Sequence, residues 1–138
     1  MGVRRCCSLG TLWLMAAAAG CGSQRVEIDG TVTVDGRPLD RAYISLRPMA
    51  GTGGPTAGSE VTDGKFRIAA KEGTHAGKFR VEITASRKTG RQVPDDLGGG
   101  MADVYEQYLP ARYNAQSELT AEIRANERNE LRFVLETE

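Results

Sequence analysis

The sequence predicts an all-β protein, an antiparallel β-sandwich of about seven strands preceded by a signal peptide. Three observations carry this expectation. Apolar and polar residues alternate in run after run from Val26 to the C-terminus. Glycine-containing turn pairs separate the runs, and residues 1–21 have the charge-then-apolar layout of an export signal. Alternation with period two is what a strand with one buried and one wet face requires, because successive side chains point to opposite faces. A strand lying between two helical layers would be apolar on both faces.

The N-terminal segment divides into three parts. Met1–Arg5 carries two arginines, Leu9–Ala19 is mostly apolar around Leu12-Trp13-Leu14-Met15, and Ala18-Ala19-Gly20-Cys21 closes it. The apolar run is too short to span a bilayer comfortably as a helix and fits the core of a secretory signal peptide. Met1-Gly2 also opens a myristoylation pattern, but Cys6 stands where that pattern wants Ser or Thr. All three cysteines, Cys6, Cys7 and Cys21, lie in this segment. The body therefore cannot form an internal disulfide, and apolar burial with β hydrogen bonding must hold it.

The strands follow in order. Val26, Ile28, Val32 and Val34 alternate with Glu27, Asp29, Thr31 and Thr33; Ala42, Ile44 and Leu46 with Tyr43, Ser45 and Arg47. Phe66 and Ile68 flank Arg67, and Phe79, Val81, Ile83 and Ala85 alternate with Arg80, Glu82, Thr84 and Ser86. Leu119, Ala121 and Ile123, then Leu131, Phe133 and Leu135, close the series. Asp35-Gly36 and Asp63-Gly64 are two-residue hairpin signals, since both positions tolerate positive φ. The second implies a short strand near Ser59–Thr62. Asn126–Asn129 makes a polar turn.

Two segments read as irregular. Met49–Gly58 is rich in Gly, Thr and Pro and is expected to be a mobile loop. Arg87–Gln116, about thirty residues, is long for a connection in a compact domain. Its first part, Arg87–Gly100, is expected to be mobile about Gly98-Gly99-Gly100, and Met101–Tyr108 to hold a helical turn. Tyr108–Tyr113 is expected to be pinned to the sandwich by Leu109 and Tyr113. The organisation expected is a signal peptide over 1–20, a tether over 21–25 and one β domain over 26–138.

Ala18, Ala19, Gly20 and Cys21 resemble the lipobox of bacterial lipoprotein precursors, although Ala18 stands where that family most often has Leu. The resemblance implies that Cys21 receives a diacylglyceryl group, that the chain is cut before it, and that the new amine is acylated. Several acyl chains on one cysteine would hold essentially permanently, since each buried methylene contributes about 0.8 kcal/mol. Gly22 carries no acidic inner-membrane retention signal. Lipid anchoring in the cell envelope, facing the periplasm or on the outer membrane, is the localisation implied.

The body resembles the carboxypeptidase regulatory-like, transthyretin-like (prealbumin-like) Greek-key sandwiches. The matching residues are Gly30-x-Val32, Asp35-Gly36-x-Pro38-Leu39, Ala42-x-Ile44, Thr62-Asp63-Gly64-x-Phe66-x-Ile68 and Gly77-x-Phe79-x-Val81-x-Ile83. Leu109-Pro110-x-x-Tyr113-Asn114, Ser117-x-Leu119-Thr120 and Asn129-x-Leu131-x-Phe133-x-Leu135 look like the version found in short bacterial lipoproteins. The resemblance implies that Phe66 and Phe79 fill the space between sheets. It implies a fold more than an activity, because members of the family are mostly uncharacterised.

Catalytic chemistry has little to work with. His75 is the only histidine and sits in a loop-like stretch, Glu72–Gly77. One histidine without a thiol in the body leaves out the common zinc sets, and no nucleophile-elbow motif is present. Gly98-Gly99-Gly100 lacks the lysine and the strand-to-helix setting of a phosphate loop. Transthyretin-like hydrolases of hydroxyisourate use several histidines and a Tyr-Arg-Gly-Ser ending, whereas this chain ends Leu135-Glu136-Thr137-Glu138. The zinc domain that accompanies such a module in metallocarboxypeptidases has no counterpart here. Asp95, Asp96 and Asp103 offer carboxylates of the kind calcium takes, but read more simply as a solvated polar loop. No metal or other cofactor is expected.

Charge excludes another class. The chain has 18 basic and 18 acidic residues, and removing Arg4 and Arg5 leaves two more acids than bases. Nucleic-acid binding wants a basic face instead. The reading is a membrane-anchored, non-enzymatic interaction or structural module of the bacterial envelope. Its partners would be the membrane, through lipid on Cys21, and an envelope protein or polysaccharide. A carbohydrate-binding module using Tyr105 and Tyr108 is the alternative. Tyr113 is the tyrosine of that cluster expected to be structural, its ring buried and its hydroxyl paired. A small hydrolase ranks last.

Overall fold

The alternating runs become strands with one face in a common core. The structure, a computed structural model, describes residues 24–138. The expected signal peptide, Cys21 and the first residues of the tether lie outside the described residues. The strands are β1 (Ile28–Val34), β2 (Arg37–Pro38), β3 (Ala42–Pro48), β4 (Ala57–Val61), β5 (Lys65–Ile68), β6 (Gly77–Pro94), β7 (Met101–Gln107), β8 (Thr120–Ile123) and β9 (Asn129–Leu135). Two 3-10 turns, Ala70–Glu72 and Ala111–Tyr113, punctuate them. The architecture is all-β, in two sheets.

In the first sheet β1 is central. It pairs β9 along one edge, and β5 then β2 along the other. The β1–β9 pairing is parallel, running from Ile28 opposite Asn129 to Val34 opposite Leu135. This corrects the expectation of antiparallel pairing throughout: alternation reads the same in either chain direction, so it cannot report which way a neighbour runs. In the second sheet the order is β4-β3-β6, all antiparallel. β8 and β7 follow one another along the edge of β6 opposite β3.

One core lies between the sheets. Ile28, Val32, Ile44, Leu46, Ile68, Phe79, Val81, Ile83 and Leu135 have no exposed surface, and Phe66 and Phe133 are buried with them. Gly30 shows how tight the packing is. A Cβ there would lie 2.5 Å from the Leu131 carbonyl oxygen and from the Phe66 ring, so only glycine lets β1 sit against both. The turn pairs behave as their composition requires, with φ of 49° and 75° at Asp35 and Gly36 and of 50° and 73° at Asp63 and Gly64. Positive φ at both central positions is the type I′ signature.

Candidate functional site

The longest element departs most from the sequence expectation. β6 has 18 residues, and only its first half packs in the core. Beyond Ser86 it outruns the first sheet and pairs with β7 alone, forming a two-stranded arm. Most of Arg87–Gln107, expected as a mobile loop with a helical turn, is therefore an antiparallel ribbon. Ser86, Arg87 and Lys88 oppose Gln107, Glu106 and Tyr105; further out, Gln92, Val93 and Pro94 oppose Asp103, Ala102 and Met101. Between these stretches Thr89, Gly90 and Arg91 face Val104 alone, a bulge in which Gly90 takes φ 80°. Thr89 Oγ1 closes the bulge, donating to the Val104 carbonyl at 3.0 Å and accepting the Arg91 N–H at 3.2 Å.

The tip is turn chemistry. The Asp95 N–H donates to the Gly100 carbonyl at 2.9 Å, and Asp95 Oδ1 accepts the Leu97 N–H at 3.0 Å. Gly99 and Gly100 supply φ of 67° and 122°. Charge pairs lace the ribbon: Arg87 Nε reaches Glu106 at 3.0 Å, while Lys88 and Gln92 both hold Asp103. The hydrogen bond from Lys88, then that from Gln92, keeps the Asp103 carboxyl below its ordinary range, and the same Asp103 contact raises the Lys88 ammonium.

The arm and the tether sit at opposite poles. Val26 pairs with Thr74, and Arg25 donates to the Lys71 carbonyl at 2.8 Å, so the chain enters the fold beside the turn Ala70–Glu72. β6 starts at this pole, at Gly77, and ends in the arm. β1 runs the same way and delivers Val34 and Asp35 to the arm's root, where they share a cleft with Ser86, Arg87 and Lys88. At about 3.3 Å per residue, and with the bulge shortening it, β6 carries the arm's end at most about 50 Å from its start. Leu97 at the tip is 100 % exposed, and Val93, Met101 and Tyr105 are exposed behind it.

Tyr105 and Tyr108 fall on opposite faces of the ribbon, three positions apart along an alternating backbone. Tyr105 is exposed, with the Arg41 guanidinium 5.9 Å from its ring centre and donating to its hydroxyl at 3.3 Å. Tyr108 is half-buried against the core, its N–H donating to the Ala85 carbonyl at 3.1 Å, and Arg87 lies over its ring at 5.3 Å. Burial pushes its phenol up. Tyr113 also packs against the core, and beside it Leu109 is buried. His75 is partly exposed at the tether pole, next to Thr74 and Gly54. Among the described residues no three His, Cys, Asp or Glu side chains come together to hold a metal ion, Asp95, Asp96 and Asp103 included.

The cleft at the arm's root is a feature the sequence reading missed. It is open to solvent, about 780 Å³, between the Asp35-Gly36 turn, Arg37, Asp40 and Arg41 on one side and Ser86, Arg87, Lys88 and Tyr108 on the other. Arg37 and Arg41 lie far along the chain from Arg87 and Lys88, and only the strand register brings the two sets together. No family model, curated protein or solved structure matches the chain.

Proposed function

We propose that the chain is a lipid-anchored, non-enzymatic display module of the bacterial cell envelope: a transthyretin-like Greek-key sandwich that holds a two-stranded arm away from the membrane for an envelope protein or polysaccharide to engage. The observation that carries this reading is the polarity of β6. That strand begins beside the point where the tether enters and ends at the arm's exposed apolar tip. With lipid on Cys21, Gly22-Ser23-Gln24 is too short a tether to let the fold stand far off, so the tether pole would face the bilayer. The apolar side chains of Leu97 and Met101 would then be offered outward. Exposed apolar side chains on a protruding ribbon are what a partner's pocket can use. His75 sits at the pole opposite the cleft, which disfavours the hydrolase alternative.

Expression of the full precursor in a bacterium tests this. A mature chain beginning at Cys21 and carrying lipid mass is expected, with Cys21→Ala protein released from the membrane or left uncleaved. Unmodified Cys21, or cleavage at another position, overturns the reading.

A further inference from the structure

We propose that the outer edge of β7 docks a second copy of this chain, the two β7 strands pairing antiparallel about Val104 so that the two arms join as one four-stranded sheet. Beyond Ser86 the arm is a two-stranded ribbon, and among the described residues no further strand pairs with it. Such a ribbon is marginal in water by itself, and added strands are what stabilise it. Pairing with β6 uses only one edge of β7. The Tyr108 N–H donates to the Ala85 carbonyl and the Val104 carbonyl accepts the Thr89 hydroxyl, so the even-numbered residues turn their backbone groups toward β6. The N–H and C=O groups of Met101, Asp103, Tyr105 and Gln107 therefore point outward, ready for another strand.

The two edges of the arm are built differently. On the β6 side the Ser86 N–H already donates to the Arg41 carbonyl at 3.3 Å, the bulge at Thr89–Arg91 interrupts the ladder, and Pro94 has no N–H to offer. Lys88 and Arg91 add charge along the same edge. Proline, bulges and lysine are the devices that keep an edge strand from pairing. The β7 side has none of them: Met101–Gln107 is seven residues without proline, glycine, lysine or a bulge. Its two acids are offset from within the ribbon, Asp103 by Lys88 and Glu106 by Arg87. One edge is blocked and the other is left open.

The strand is complementary to itself in one register. Two copies related by a twofold axis pair about a central residue. Centred on Asp103, the pairing sets Asp103 against its own counterpart, and like charges directly opposite are unfavourable. Centred on Tyr105, it leaves Met101 and Ala102 with nothing opposite. Centred on Val104, it uses the whole strand: Val104 meets its counterpart as a β-branched pair, Asp103 meets Tyr105, Ala102 meets Glu106 and Met101 meets Gln107. No acid then lies directly opposite an acid, and the outward groups of Asp103 and Tyr105 form the hydrogen-bonded pairs. The axis turns the second copy end for end, so the two tether poles point apart. Anchored copies paired this way come from two facing membrane surfaces; that step alone rests on the anchoring proposed above.

An equimolar mixture of full chains carrying two different isotope labels, in detergent micelles, tests the pairing by NMR. Magnetisation transfer between chains is expected from Val104 to Val104 and from Asp103 to Tyr105, with shifts along Met101–Gln107 that fade on dilution. Tyr105→Asp still faces Lys88 in its own ribbon but sets a carboxylate opposite Asp103 of the other copy, and should weaken association about tenfold or more. If that variant perturbs the spectrum globally, Met101→Pro, at the first position of β7, removes one outward N–H and should weaken association severalfold. Arg91→Glu, on the blocked edge, should leave association unchanged. A chain that stays monomeric at millimolar concentration, transfer arising from the β6 edge, loss of association in Arg91→Glu, or association untouched by both β7 variants each overturns the proposal. Vesicles carrying the lipidated chain should cluster, and Tyr105→Asp should abolish the clustering. Pairing in micelles without clustering of vesicles overturns the facing-membrane arrangement alone.

Discussion

The hydroxyl of Tyr113 accepts the backbone N–H of Glu136 at 3.0 Å. This bond ties the segment that returns from the arm to the exit of β9. Arg112 reinforces it, lying 5.0 Å from the Tyr113 ring centre and donating to the Glu136 and Glu138 carbonyls at 2.7 Å each. A ribbon with no core of its own needs a fixed root, and this clasp helps supply it. Tyr113→Phe removes one hydrogen bond and should cost about 1 kcal/mol. Tyr113→Ala also removes half-buried ring surface and should cost about 2–3 kcal/mol. Urea denaturation measures both; wild-type stability in Tyr113→Ala would mean that the clasp holds nothing.

The core gives a steeper contrast. Phe79 has no exposed surface, so Phe79→Ala should cost about 3–5 kcal/mol. Arg80, one residue on, is exposed and pairs with Glu82 at 2.8 Å. Arg80→Ala should cost less than about 1 kcal/mol. Gly30→Ala should cost about 1–3 kcal/mol although it adds only a methyl group, because that carbon has nowhere to go. Denaturation midpoints that ranked Arg80→Ala with Phe79→Ala would contradict the facing of β6.

These core positions were also the legible ones. Val26–Val34, Ala42–Pro48 and Phe79–Ser86 each put one face in the core, so burial wrote the period into the sequence. The arm puts both faces in water. Arg87-Lys88-Thr89-Gly90-Arg91-Gln92 therefore has no apolar period to detect, and its pairing depends on β7, not on its own composition. The wide tip from Asp95 to Gly100 dilutes the turn signal that Asp35-Gly36 concentrates in two residues. The parallel β1–β9 pairing joins the first and last strands of the fold, and nothing local in either strand specifies its partner. The cleft was hidden for the same reason: the segments Asp35–Arg41 and Ser86–Lys88 come to line one cleft only through register.

The arm should be the least protected ladder. Its amides from Gln92 to Met101 close on one partner strand with no core beneath, so local opening exposes little apolar surface. In hydrogen exchange they should exchange much faster than those of Val81 and Ile83. Leu97→Ser should leave global stability within about 0.5 kcal/mol. Protection in the arm equal to that of Val81 would show it to be packed against something more than β7.

Acid should loosen the C-terminal tail. The Thr137 hydroxyl, and then its backbone N–H, hold the Asp35 carboxyl below its ordinary value. A carboxyl depressed on folding contributes stability above its unfolded value, and that contribution is lost as pH falls through the folded value. The loss therefore begins below about pH 4. The Thr137 amide shift, followed through an acid titration, should report a midpoint below that of a free aspartate, and Asp35→Asn should abolish the transition. A midpoint at or above the ordinary carboxylate value contradicts the assignment.

Tether and arm at opposite poles can be tested by energy transfer to a membrane surface. The full chain is reconstituted, through its own anchor, into vesicles whose lipids carry an acceptor dye. A donor is placed at Lys71→Cys, beside the tether, or at Leu97→Cys, on the tip. Strong quenching is expected for the donor at position 71 and little at position 97, at the far end of the arm that β6 extends by up to about 50 Å. Equal quenching at the two positions, or stronger quenching at position 97, would contradict it.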